Sequence, residues 1–268
     1  SVITAAKNDD LLIVTCTSSA KKCIDGNDKA FRICFYDSYQ GAAAAQYIKD
    51  NNMVDTVGIL YQSDNDYSVG LYNAFVAKCG ELGITIAETQ TFTSSTNTDF
   101  STQVSALVSS GVKLVFIPLY AEEASTFLTQ AHGKFADDVY FFGADGLDGI
   151  LGKVEQDTSL ANNVLMLTPF AADNPAENVQ SFVKKYQEAY GATPDQFAAD
   201  AYDAIYAIKA AVEKAGSTSG AALASALTSL TVEGVTGTMT WGSDGNTNKP
   251  ASAILYYDGV GTLFDSQD

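Results

Sequence analysis

The chain has 268 residues with 15 Lys+Arg against 32 Asp+Glu, a formal net charge of −17; this balance all but excludes a nucleic-acid binder, because phosphate contact needs a basic face that releases counterions. A hydrophobic fraction of 46 % with 5 Pro and 21 Gly supplies a real core for one large or two medium domains and rules out a disordered or collagen-like chain. One His, His132, with four Cys and one Trp, cannot build a multi-His metal site and leaves a single imidazole for base catalysis, which favours a non-enzymatic role with no metal and no cofactor.

The chain opens at Ser1 within a helix-like stretch, SVITAAKNDD, with no initiator Met and no basic signal region; this reads as a start inside a domain or after a removed targeting segment. Strand-like LLIVT (11–15) and AFRICF (30–35) precede a helix, GAAAAQYIKDNN, in which Ala44, Tyr47 and Ile48 share a face. TVGILYQ (56–62) is a strand, and the helix after it carries Val69, Tyr72, Phe75, Val76, Cys79 and Leu82 at helical spacing, ended by Gly83. ITIAETQTF is the next strand. Asp99 then caps a helix bearing Phe100, Val104, Leu107 and Val108, KLVFIPLY is a buried strand, and AEEASTFLTQA is a helix presenting Ala124, Phe127, Leu128 and Ala131. VYFFGAD closes the fifth strand-helix step. The apolar runs LLIVTC and TVGILY have the length of buried strands and are too short to span a bilayer.

After NVLMLTPF (163–170) the pattern changes to two long helices, about 175–190 with Val179, Phe182, Val183 and Tyr186, and about 196–215 with Ala201, Ala204, Ile205 and Ile208; Pro175 and Pro194 stand near their starts. A third helix near 219–229 leads to antiparallel strands with turn signals at Asp244-Gly245 and Asp258-Gly259. Short apolar runs alternating with helical segments predict an α/β fold with a parallel sheet covered by helices, in two lobes: 37–167 with about 250–268, and 1–36 with 168–249.

In a doubly wound sheet, ligands bind at the carboxyl ends of the strands. Three consecutive strands end near Tyr67, Tyr120 and Asp145. A carboxylate beside two aromatic rings suits a cation such as an ammonium, through a charge-assisted hydrogen bond and contact with a ring face. No second catalytic carboxylate, GxSxG elbow or phosphate loop accompanies it. The alternatives are a surface tyrosine at Tyr67 and a helix N-cap at Asp145. The loop Thr15-Cys-Thr-Ser-Ser19 offers hydroxyls and backbone N–H groups to a carboxylate, or is an ordinary Ser/Thr turn. The stretch from Ser63 to Gly70 begins like a calcium loop, but Phe75 stands where a bidentate Glu is needed, so it reads as a helix-capping loop. His132 is a helix C-terminal residue without chemistry. Cys79 reads as a buried free thiol, and Cys16 and Cys23 flank one loop as free thiols or as a disulfide.

These residues also carry a family pattern. LLIVTCTSS, FRICFYDSYQGAAAAQYI in the form F-R-x-x-x-x-D-x-x-Q-G-x-x-A-A-x-Y, DYSVGLYNAF, the stretch from DFSTQVSALV to TFLTQA, FFGADGLDG, and FAADAYDAIYAI with GVTGTMTW follow in an order, over some 250 residues, that resembles the branched-chain amino-acid-binding family of type I periplasmic solute-binding proteins. The resemblance implies two doubly wound βα lobes that close around a small amino acid, branched or aliphatic, as the extracytoplasmic receptor of an ATP-binding-cassette importer, a periplasmic or lipid-anchored protein whose partner is a membrane permease. It implies Ser18 and Ser19 at the ligand's polar end, Asp145 pairing with its ammonium, Tyr67 and Tyr120 as aromatic contacts, Phe197 near the hinge, and Asp37 as a further candidate; none of these residues is catalytic. It also implies that the opening part of the first lobe precedes Ser1, and that a first lobe so shortened self-associates through its sheet edges. The alternative is a ligand-sensing domain of a regulator or receptor with the same fold.

Overall fold

The computed structural model describes residues 2–249 and 251–264. Ser1, at the head of the expected first helix, and residues 250 and 265–268, in the last segment of the expected second lobe, lie outside the described residues. The short helix α1 (Val2–Ala5) leads to strands β1 (Ile13–Thr15) and β2 (Ala30–Arg32), which pair in parallel. Helices and strands then alternate as α2 (Asp37–Asp50), β3 (Thr56–Gln62), α3 (Asp66–Leu82), β4 (Thr85–Phe92), α4 (Ser101–Ser109), β5 (Leu114–Phe116), α5 (Ala121–Ala131), β6 (Tyr140–Gly143), α6 (Ile150–Lys153) and β7 (Val164–Thr168). Three helices follow, α7 (Glu177–Tyr190), α8 (Gln196–Ala215) and α9 (Gly220–Leu227). Strands β8 (Thr231–Gly234), β9 (Gly237–Trp241), β10 (Thr247–Asn248), β11 (Ser252–Tyr257) and β12 (Val260–Leu263) end the chain. By its contacts the chain divides into Ser1–Tyr36 with Pro169–Ala251, the first unit, and Asp37–Thr168 with Ser252–Asp268, the second. No helix of the described residues is long and apolar enough to cross a membrane.

The second unit is built on a seven-stranded sheet in the order β12-β11-β7-β6-β5-β3-β4. Its pairs from β4 through β7 are parallel, and β11 and β12 add an antiparallel edge. The central strands β5 and β7 are buried along their whole length, as parallel strands covered on both faces must be. The edge strand β4 alternates exposed and half-buried residues instead. The sequence predicts a strand through all of KLVFIPLY; β5 ends at Phe116 because Pro118 has no N–H to give the ladder.

Helix α3 starts where the Asn65 side chain accepts the Tyr67 and Ser68 N–H groups and stops at Gly83, left-handed at φ 71°. Its buried line is Tyr67, Leu71, Phe75 and Cys79, so the expected stripe is turned toward Leu71, and Val69 and Val76 are only half-buried. Burial in this apolar face pushes the Cys79 thiol up to about 12. Helices α2 and α3 meet closely: a Cβ at Gly41 would lie 2.3 Å from the Leu71 carbonyl oxygen. Gly41→Ala is therefore expected to destabilise the protein by about 1–3 kcal/mol in thermal denaturation, although Ala is the better helix former by about 1 kcal/mol. An unchanged or raised melting temperature would refute the close crossing.

In the first unit, α8 and α9 pack their alanines and leucines against Phe31, Ile33, Met239 and Trp241. The apolar positions expected on α8 need correction. Ala201 is exposed and Ile205 is 65 % exposed, while the buried face is Ala199, Asp200, Asp203, Ala204, Ala207 and Ala211. Two aspartates replace an aliphatic stripe because each is satisfied inside. Asp203 accepts the Val235 and Thr236 N–H groups, both at 2.9 Å, and the Thr236 hydroxyl, and Asp200 accepts the Lys249 ammonium at 3.0 Å. All four cysteines are free thiols, so the disulfide alternative for Cys16 and Cys23 is not adopted. The loop between them is held by Arg32 instead.

Candidate functional site

Tyr67 is fixed by the α3 cap, and Ser68 beside it accepts the Gln62 N–H at 2.9 Å, which ties the helix start to the end of β3. The Tyr67 ring is 5 % exposed; its hydroxyl donates to Asp145 Oδ1 at 2.7 Å and accepts the Gly146 N–H at 2.8 Å. Asp145, 6 % exposed, lies just past β6 in a one-turn 3-10 helix, and its own N–H donates to Gln40 Oε1 at 3.1 Å. Only glycine serves at position 146, where a Cβ would lie 2.6 Å from the tyrosine hydroxyl and 2.8 Å from the Leu119 carbonyl oxygen. Tyr120, 46 % exposed, stacks on Tyr67 with ring centroids 4.6 Å apart and planes 15° from parallel. Tyr67 is thus a buried residue rather than a surface tyrosine, and the Asp145 carboxylate bonds a phenol rather than serving as a simple helix cap.

Burial raises the Asp145 carboxyl to about 6; the Tyr67 hydrogen bond opposes the shift, the charge of Asp37 adds to it, and the Gln40 and Gly146 hydrogen bonds oppose it. The same burial, followed by the Asp145 charge, pushes the Tyr67 phenol well above its ordinary range, so it remains a hydrogen-bond donor. Asp37, 4 % exposed, opens α2; a Cβ at Gly70 on α3 would stand 3.0 Å from its Oδ2. A buried carboxylate raised to about 6, next to an exposed aromatic face, can accept an ammonium group and be held ionised by it.

Ser18, exposed, and Ser19, 7 % exposed, lie in the first unit after β1. Thr15 Oγ1 accepts the Ser18 N–H at 3.1 Å. The loop is shaped from beneath by Arg32, wholly buried, whose guanidinium donates to the carbonyl oxygens of Ser18 (3.2 Å), Ser19, Ala20 (3.1 Å) and Lys21 (3.5 Å). Phe197, half-buried in the first turn of α8, is also in the first unit. The cluster of Tyr67, Tyr120, Asp145 and Asp37 comes wholly from the second unit.

Sequence reasoning missed Gln40, Gly146 and Arg32. Arg32 had a signal, being the chain's single arginine inside an apolar strand; Gln40 had none, since its partner lies 105 residues away. A hollow of about 400 Å³ lined by His132, Phe135, Phe141 and Tyr257 lies at the opposite, amino ends of β6 and β7 and contains none of the candidate residues. His132 itself caps α5, its N–H on the Leu128 carbonyl. Among the described residues no group of three or more His, Cys, Asp or Glu side chains is placed to hold a metal ion.

The family described as periplasmic binding protein matches residues 1–259. The Leu/Ile/Val-binding protein homolog 3 of Brucella melitensis is 27 % identical over 257 residues, 94 % of this chain and 68 % of that protein. The leucine-, isoleucine-, valine-, threonine- and alanine-binding protein of Pseudomonas aeruginosa is 25 % identical over 90 % of this chain and 63 % of its own length, so this chain spans about two thirds of these curated relatives. The crystal structure of the leucine-binding protein LivK of Thermotoga maritima superimposes with a TM-score of 0.86 at 28 % identity, over 98 % of this chain and 75 % of that one.

Proposed function

Because the chain belongs to the periplasmic binding protein family, we propose that it is the substrate-binding component of an ABC importer and takes a small branched-chain or aliphatic amino acid. Its α/β fold is that of the type I periplasmic binding proteins. The observation that carries the ligand class is the buried Asp145 carboxylate held by Tyr67 under the exposed ring of Tyr120. In this reading Asp145 accepts the ligand's ammonium, Tyr120 covers it with a ring face, and Tyr67 orients the carboxylate. Ser18 and Ser19 are proposed for the ligand's polar end, and Phe197 for an aromatic position near the hinge. The names of the Brucella and Pseudomonas relatives, which specify leucine, isoleucine and valine, support the aliphatic class. The role is binding without catalysis. The protein works outside the cytoplasm, as a periplasmic or lipid-anchored receptor, and delivers its ligand to a membrane permease.

A thermal-shift screen of the twenty amino acids tests this reading, since a ligand that binds only the native state raises the melting temperature by linkage. Leucine, isoleucine, valine or alanine is expected to give the largest shift. Tyr120→Ala is expected to weaken that ligand about tenfold, equivalent to about 1.4 kcal/mol, with a stability loss limited to about 1 kcal/mol from the lost stack on Tyr67, because this ring is already half in water. The absence of a shift with every amino acid at millimolar concentration would sink the proposal.

A further inference from the structure

The hub around Asp145 holds a second carboxylate that the ligand reading leaves without a task. Asp37 and Gln40 stand three residues apart on α2, hence on one face, and Gln40 reaches the Asp145 backbone while the Asp37 carboxylate lies against Gly70, one turn along α3 from Tyr67. Among the groups around Asp145 are Gln40 from α2, Tyr67 from α3, backed by the stacked Tyr120, and the Gly146 N–H of its own loop, with the Asp37 charge acting from the same face of α2 as Gln40. Asp37 is the other anion among them, and its charge reaches both Asp145 and the Tyr67 phenol. As the first residue of α2 it sits at the positive end of the helix dipole.

Resting on the reading of Asp145 as the ammonium acceptor, we propose that Asp37 is a positioning anion that acts through Asp145: it deepens the negative potential of the site, so that the protein selects ligands bearing a cationic amine over neutral isosteres and releases them on acidification. The physics runs in two directions. Two like charges in one buried hub oppose each other while the site is empty, which favours a proton on Asp145. An arriving ammonium is attracted by both and displaces that proton. Removing the Asp37 charge therefore weakens ammonium binding at high pH and also makes binding less sensitive to acid.

The test is calorimetric titration of leucine from pH 8 to pH 5 with wild type, Asp37→Asn and Asp37→Glu. Asp37→Asn is expected to bind about fivefold more weakly at pH 8 and within about twofold of wild type at pH 5, with Asp37→Glu restoring the wild-type profile. A 2-hydroxy acid of the same shape, which lacks the ammonium, is expected to show no such difference. An equal loss at every pH marks a structural role only and overturns the proposal, as does no loss at all. Carbon-13 NMR of the Asp145 carboxyl in the ligand-free protein separates this idea from the transport reading. Its titration midpoint is expected to fall in Asp37→Asn, and an unchanged midpoint overturns the inference whether or not leucine binds. If leucine fails to bind wild type at any pH, the functional reading falls while the NMR result still decides the role of Asp37 toward Asp145.

Discussion

Asp145→Asn is expected to abolish the response to amino acids and at the same time make the ligand-free protein more stable at pH 8. In the native state the Asp145 carboxyl titrates near 6, raised first by burial, whereas an unfolded chain ionises its aspartates near 4. Between about pH 4 and pH 6 the folded protein thus holds a proton that the unfolded chain has lost, so stability falls as pH rises through that window, and the cost persists above it. Two pH units of displacement correspond to roughly 2–3 kcal/mol. Asparagine keeps an Oδ1 to accept the Tyr67 hydroxyl, now made at 2.7 Å, and carries no charge to desolvate. The variant should gain on wild type at pH 8 and lose that advantage near pH 4, as read by calorimetric melting at the two values. Binding should weaken by about a hundredfold or more, because a buried charge pair with the ligand is lost. A variant less stable than wild type at pH 8, or one that still binds leucine, contradicts the assignment of Asp145 as a carboxylate kept for a cation.

The α/β class was legible because it depends on local periodicity. TVGILYQ, AEEASTFLTQA and the helix from Gln196 to Ala215 have the bounds that their apolar spacing and flanking Gly or Pro suggest. Tyr67, Tyr120 and Asp145 could be chosen because every parallel strand of a doubly wound sheet delivers its carboxyl end to the same rim. What joins them could not be read. The Tyr67–Asp145 hydrogen bond spans 78 residues and the Gln40–Asp145 bond 105, and no local rule ties those positions together. The α8 aspartates show the same limit from the other side. Their helical spacing suggests an apolar face at Ala201 and Ile205, yet tertiary hydrogen bonds from Thr236 and Lys249 turn Asp200 and Asp203 inward.

That inward turn leads to the largest stability effect expected of a single substitution. The Lys249 and Asp200 side chains are 0 % and 2 % exposed and 3.0 Å apart, and the Lys249 ammonium also donates to the Thr236 hydroxyl. The Thr236 hydroxyl in turn donates a hydrogen bond to Asp203, whose carboxylate closes the turn between β8 and β9. One chain of polar groups therefore ties α8, the β8–β9 turn and the segment before β11. Lys249→Met keeps the stem volume and removes the ammonium that faces the buried Asp200 carboxylate. Breaking one side of a buried pair costs about 3–5 kcal/mol, whereas removing both charges costs much less. Asp200→Asn combined with Lys249→Met should accordingly recover most of what Lys249→Met loses. The readout is built in: Trp241, the only tryptophan, is 5 % exposed and donates its indole N–H to the Arg32 carbonyl at 2.8 Å, so its fluorescence reports unfolding of the first unit alone. A urea transition of Trp241 that Lys249→Met leaves within about 1 kcal/mol of wild type would mean that the pair contributes no more than an exposed one, and that alanine packing rather than this network fixes α8.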